Sequence, residues 1–179
     1  MEVNKNELPK NSEQWASIDG YKNYQVSWWG RVRNAKTGRI LKQQPSGNGY
    51  LKVQLSKKGT ATGHYCHRLV AHEWVGNPEQ KRCVDHIDGS RTNNHWENLR
   101  YATHSENLMN KRGYKNCSSV YKGVSFDKTS GKWVVRIKVE GVYKNMGLFK
   151  IEKEAGEAYN TAAIKFYKKY ARLNDLTPV

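Results

Sequence analysis

Apolar positions recur at two spacings along this chain. From Tyr50 to Leu55, Val53 and Leu55 alternate with Lys52 and Gln54, which predicts a strand with one solvated face. Trp133, Val135, Ile137 and Val139 alternate with Val134, Arg136 and Lys138 and predict a second. Val84 to Ile87 and Leu99 to Thr103 are shorter strand candidates, and Tyr24, Val26 and Val32 mark two more with Gly30 at a bend. A 3.6-residue repeat takes over at His67, Val70, Ala71 and Trp74, predicting a short helix. It returns at Ile151, Ala155, Ala158, Tyr159, Ala162, Ala163 and Phe166. Gly156 costs that helix about 1 kcal/mol, and the alanines let it lie close to a sheet.

Turn residues divide these elements into modules. The reading is α+β: a small N-terminal β module, a strand–loop–strand–helix core, and a three-stranded antiparallel sheet packed on one helix. The expected boundaries are a disordered tail at 1–12, the β module at 13–63, the core at 64–112, a basic linker at 113–119 and the sheet–helix unit at 120–174. At 37% hydrophobic residues, several small cores are expected over 179 residues rather than one large one.

Charge narrows the partner. With 31 Lys+Arg against 16 Asp+Glu, the formal net charge is +15, which favours a polyanion, nucleic acid first. A long apolar run and a lipidation motif are both lacking, so a membrane is not an expected partner. The polar opening MEVNKNELPK predicts no signal peptide, hence a cytoplasmic protein (of a bacterial host, if phage-encoded). Cys66, Cys83 and Cys117 form no C-x-x-C pair, so no structural zinc is expected.

Chemistry concentrates between Asp85 and Asn107. Asp88-Gly89-Ser90 is turn chemistry, and Thr103 with Glu106 fits a capping box that starts a helix at His104. Asp85, His86, Asn98 and Asn107 can then converge. Asp85 and Asn107 offer hard oxygen ligands suited to Mg²⁺, for which Mn²⁺ can substitute. His86 can accept a proton from an attacking water. Asn98 can hold the His86 ring or a nearby backbone group.

The pieces HRLVA, VDHIDG, NNHWENLR and THSEN resemble the HNH nuclease motif, the ββα-metal finger of phage and intron-encoded homing endonucleases. The resemblance runs from about His67 to Asn110. It implies His86 as general base, Asn98 as its orienting residue, and Asp85 and Asn107 as metal ligands. The pieces GYKNYQVS, GRVR and GYLKVQL resemble the small β module that precedes many such cores, with Trp28-Trp29 departing from its usual text. That pair is either a packing pair or a stacking surface. VYKGVSFD, GKWVVRIKV, NMGLF and EKEAGEAYNTAA resemble the plant ethylene-response-factor (Apetala-type) DNA-binding domain.

The expected partner is therefore double-stranded DNA, without a small-molecule cofactor and with the protein a monomer. Phosphate contacts are expected from Arg31, Arg33, Arg39 and Lys42 in the β module, and DNA contacts from Arg91, Arg100, Lys111 and Arg112 in the core. The Apetala-type resemblance places Lys122, Ser125, Arg136, Lys138, Tyr143 and Asn145 on a DNA-facing sheet. His67 and Trp133 are read as structural, His67 as a packed, hydrogen-bonded core histidine. The function expected is a site-recognising homing-type DNA endonuclease that nicks one strand per monomer. The alternative is a DNA-binding regulator whose core is vestigial.

Overall fold

A computed structural model describes residues 12–113 and 117–177. The tail expected at 1–12 lies almost wholly outside the described residues, and the expected linker lies partly outside them. The chain forms two compact units, residues 1–101 and 102–179.

In the first unit, β1 (Trp15–Ile18), β2 (Tyr21–Ser27) and β3 (Val32–Asn34) make one antiparallel sheet in chain order. β4 (Gln44–Pro45), β5 (Leu51–Lys57) and β6 (Thr60–Tyr65) make another. Helix α1 (Cys66–Trp74) follows directly, then β7 (Cys83–His86), which pairs with β8 (Leu99–Ala102). These elements share one interior. Ile18, Val26, Val32, Val53 and Leu55 from the β module meet Cys66, Leu69, Val70 and Leu99 in a single buried cluster. The reason is economy of burial: no sheet of three short strands buries enough apolar surface alone. Burial also raises the Cys66 thiol pKa to about 12.

Of Trp28 and Trp29, only the first takes a packing role. Trp28 is buried and its ring centroid lies 6.0 Å from that of Trp74, whereas Trp29 is exposed.

The second unit opens with α2 (His104–Met109). Its capping box forms as read: Glu106 N–H donates to Thr103 Oγ1 at 3.2 Å, and Thr103 N–H donates to Glu106 Oε2 at 2.7 Å. β9 (Val124–Asp127), β10 (Lys132–Val139) and β11 (Val142–Phe149) form an antiparallel sheet with β10 central, followed by α3 (Glu152–Tyr167). Val135, Ile137, Ala155, Tyr159, Ala162 and Ala163 build the interior, and Trp133 and Met109 pack against it. Trp133 is thus a core residue, as its alternation implied. Gly156 serves a neighbour other than the sheet: a Cβ there would meet Tyr121 and Leu176 at 3.0 Å.

Among the described residues no helix is long and apolar enough to cross a membrane.

Candidate active site

The loop between β7 and β8 is built around one carboxylate. Asp88 Oδ1 accepts from Ser90 N–H at 2.7 Å and from Asn98 Nδ2 at 2.9 Å, while Oδ2 accepts from Asn93 Nδ2 at 2.8 Å. Asn98 closes the ring, accepting from Asp88 N–H at 3.0 Å and donating to the Asn93 carbonyl at 2.8 Å. Gly89, at φ 74°, turns the chain so that its N–H reaches the His86 carbonyl at 2.8 Å. Burial raises the Asp88 pKa, but the Ser90, Asn93 and Asn98 donors and the nearby His86 outweigh it and leave it lowered.

His86 ends β7 and is buried, at 4% exposure. Its Nε2 lies 3.0 Å from Asn94 Oδ1. Of the two roles open to Asn98, the His86 ring or a nearby backbone group, it takes the second, bonding the Asp88 N–H and the Asn93 carbonyl. Asn98 supports the loop backbone, and the ring partner is Asn94, which sequence reasoning passed over. The ring centroid of His67 lies 5.2 Å from that of His86 and that of Tyr50 lies 5.7 Å away. Tyr50 and Tyr65 flank His67 in turn, at 4.7 and 5.4 Å. His67 is therefore packed as expected, but its Nδ1 has no hydrogen-bond partner among the described residues, and aromatic contact replaces the predicted bond.

Both histidines are held neutral. Burial lowers the His86 pKa, and the Asn94 contact, Asp88 and Asp85 oppose this only in part. Burial, then repulsion from His86 were both rings to be protonated, then the Arg68 charge, pushes the His67 pKa down to about 3. Below about pH 6.5 an unfolded histidine takes up a proton that the folded His67 refuses, so stability falls with pH. This contribution is complete above about 6.5 and is lost as pH drops toward about 3. Thermal melting is expected to report a loss on the order of 3 kcal/mol between pH 7 and pH 4 from this one group. A His67→Phe variant with the same acid sensitivity as the parent would reject the assignment.

Asp85, one residue before His86, is 5% exposed. Arg100 Nε donates to its Oδ2 at 2.8 Å, and Arg100 Nη2 lies 2.7 Å from the same oxygen. Arg100, expected as a DNA contact, is thus paired with a buried carboxylate that needs a cation. Asn107 lies on α2, in the second unit. A carboxylate and an amide oxygen fit a hard divalent cation with open coordination positions. Among the described residues no group of three or more His, Cys, Asp or Glu side chains gathers as a metal cluster.

The other basic residues differ in exposure and in the contacts they make. Arg39 and Lys42 are exposed. Arg31 pairs with Glu13, and Arg33 donates to Gln25 at 2.8 Å and stacks 4.2 Å from the Trp15 ring centroid. Arg91 donates to the Asn48 carbonyl at 2.6 Å, with its guanidinium 5.2 Å from the Tyr50 ring centroid. Lys111 and Arg112 are exposed in the second unit.

In that unit Arg136 sits opposite Asn145 and Lys138 opposite Tyr143, and all four are exposed. Ser125, opposite Val134, is exposed on the same face. Lys122 departs from the expected set. Its Nζ donates to the Met109 carbonyl at 2.5 Å, where a helix end leaves carbonyls unsatisfied, and burial followed by Arg172 lowers its pKa to about 8.

Two family models match the sequence, the NUMOD4 motif over residues 13–56 and HNH endonuclease over residues 64–109. A solved structure of the HNH homing endonuclease I-HmuI, concerned with its DNA binding and cleavage, superposes with a TM-score of 0.52 at 31% identity. It covers 87% of this chain and 91% of that one. The chain belongs to the HNH endonuclease family.

The DNA endonuclease I-HmuI of Bacillus phage SP01 is 40% identical over 108 residues, 59% of this chain and 62% of that protein. The AP2-like ethylene-responsive transcription factor AIL6 of Arabidopsis thaliana is 36% identical over 76 residues, 39% of this chain and 13% of that factor. The chain thus spans less than two thirds of the length of these curated relatives. Divalent metal ions serve HNH endonucleases as a group.

Proposed function

We propose that this chain is a site-recognising, homing-type HNH endonuclease that hydrolyses a phosphodiester of double-stranded DNA, using Mg²⁺ and nicking one strand per monomer. The observation that carries this reading is the Asp85-His86 pair closing β7. The imidazole is buried and kept neutral beside a carboxylate. A neutral histidine at physiological pH is ready to take the proton of an attacking water. Asp85 and Asn107 would hold the metal. When bound, the ion supplies positive charge for the phosphate and the leaving oxygen. Asp88 and Asn98 fix the loop that follows His86, and Arg100 offsets the burial of the Asp85 carboxylate.

Asp85→Ala and Asn107→Ala are each expected to abolish or strongly weaken plasmid nicking in Mg²⁺, and EDTA to stop the parent protein. Undiminished nicking in EDTA would overturn the metal reading. Tight duplex binding with no nicking under any divalent ion would favour the regulator instead.

The sheet of the second unit would lie against DNA through Ser125, Arg136, Lys138, Tyr143 and Asn145. Arg136→Ala is expected to cost about 1–3 kcal/mol on the preferred site if its fork reads a base edge. An equal loss on random duplexes would make it a phosphate contact. A point variant is a better test than removal of residues 114–179, because Met109 of α2 packs on the second unit's interior and would be stripped by the deletion.

A further inference from the structure

We propose that Asn94 is a positioning residue for the His86 ring, and that the tight turn at Gly30 is the seat that holds Asn94 in place. This rests on the reading of His86 as general base and adds a residue from outside the expected quartet. It also gives the β module a part in catalysis.

The His86 Nε2 and Asn94 Oδ1 lie 3.0 Å apart, with both residues at most 4% exposed. An amide oxygen only accepts, so the ring must donate from Nε2, and Nδ1 is left with the lone pair that takes a proton. The amide fixes both the ring's orientation and its tautomer. Asn98 is committed to the Asp88 loop, and Tyr50 and His67 touch the ring as ring–ring contacts.

Asn94 is itself held from the β2–β3 turn. A Cβ on Gly30 would fall 2.6 Å from Asn94 Cβ and 3.2 Å from its carbonyl oxygen, and Gly30 stands at φ 90°. The turn is tied on both sides of the glycine. Trp96 N–H donates to the Trp28 carbonyl at 2.8 Å, and Gln43 Nε2 donates to the Gly30 carbonyl at 2.6 Å. A turn of the β module and the loop carrying Asn94 are thus in backbone contact at the only spacing that glycine permits.

The test is a double-mutant cycle in the full-length protein, read as single-turnover nicking of supercoiled plasmid in Mg²⁺, with duplex affinity measured in EDTA. Asn94→Ala is expected to slow nicking by about 10–100-fold, the usual cost of losing a group that orients another, with affinity within about threefold. In a His86→Ala background, adding Asn94→Ala is expected to cost nothing further, since the two act as a unit. Asn94→Asp, whose carboxylate also accepts from Nε2, should recover most of the rate. Gly30→Ala, whose Cβ would press on the Asn94 Cβ and carbonyl oxygen, should by itself slow nicking.

Ring-nitrogen NMR of the unmutated protein, labelled at histidine, should show His86 protonated at Nε2, and needs no variant to fold. Multiplying losses in the double variant, or His86 protonated at Nδ1 alone, would overturn the positioning role. Wild-type nicking by His86→Ala would instead remove the base reading, and the positioning role with it. The two failures are distinct, because the first is judged with His86→Ala already inactive.

Discussion

Nicking by His86→Ala is expected to fall by about 10²–10⁴-fold, the range a general base contributes. Duplex affinity should stay within about threefold, because the ring is buried and presents almost no surface to a phosphate. The loss should appear in the chemical step alone, measured under single-turnover conditions with protein in excess of plasmid. Glutamine at the same position could keep the contact with Asn94 but has no basic nitrogen, so His86→Gln should be equally inactive. Rates within threefold of the parent in either variant would take His86 out of the mechanism and leave the proton's acceptor to be sought elsewhere.

Gly123→Ala should be the most damaging single-methyl change in the second unit. The added Cβ would lie 2.2 Å from Tyr159 Cδ2 and 2.9 Å from the Arg136 carbonyl, and Gly123 adopts φ 76°. Neither neighbour can retreat. Tyr159 is 2% exposed at the centre of the interior, and the Gly123 carbonyl accepts from Arg136 N–H at 2.8 Å. Overpacking costs about 1–3 kcal/mol and a left-handed backbone without glycine roughly 1–2 more. For a unit of this size the sum corresponds to a fall in melting temperature of more than about 10 °C. Because Met109 of α2 packs on the same interior, nicking should decline along with site preference. A variant melting within 2 °C of the parent would show that Tyr159 does not fill this core in solution.

The elements easiest to read in the sequence were those whose side chains alternate against a core. The Trp133–Val139 run became β10, and the Thr103–Glu106 pair became a capping box at the expected helix start. β6 escaped notice because Thr60–Tyr65 carries few apolar residues and its first four are exposed, so no alternation marks it. Among the candidate site residues, Asp85 and His86 meet in the expected strand, while Asn98 takes its backbone role and the ring faces Asn94. Asn93, Asn94 and Asn98 are chemically alike, and only the fold decides which amide faces the imidazole. The adjacent Asn93-Asn94 pair was the one available hint. Arg100 and Lys122 show the limit of counting charges. A basic residue adds to the net charge whether it faces solvent or, as these do, a buried carboxylate and a helix-end carbonyl.

The way the two interiors divide the sequence constrains how such a protein can be recombined. A crossover near residue 63 would part Val26 and Val53 from Val70 and Leu99, so both parents would have to contribute matching halves of one interior. A crossover just after α2 would part Met109 from the interior it packs on. The seam that spares both interiors falls at residue 101, between the strand ending in Asp85-His86 and the helix bearing Asn107. A chimera joined there inherits its proposed proton acceptor from one parent and a proposed metal ligand from the other. In this architecture, exchanging the C-terminal sheet and helix without injury to either interior means shuffling the proposed site residues too.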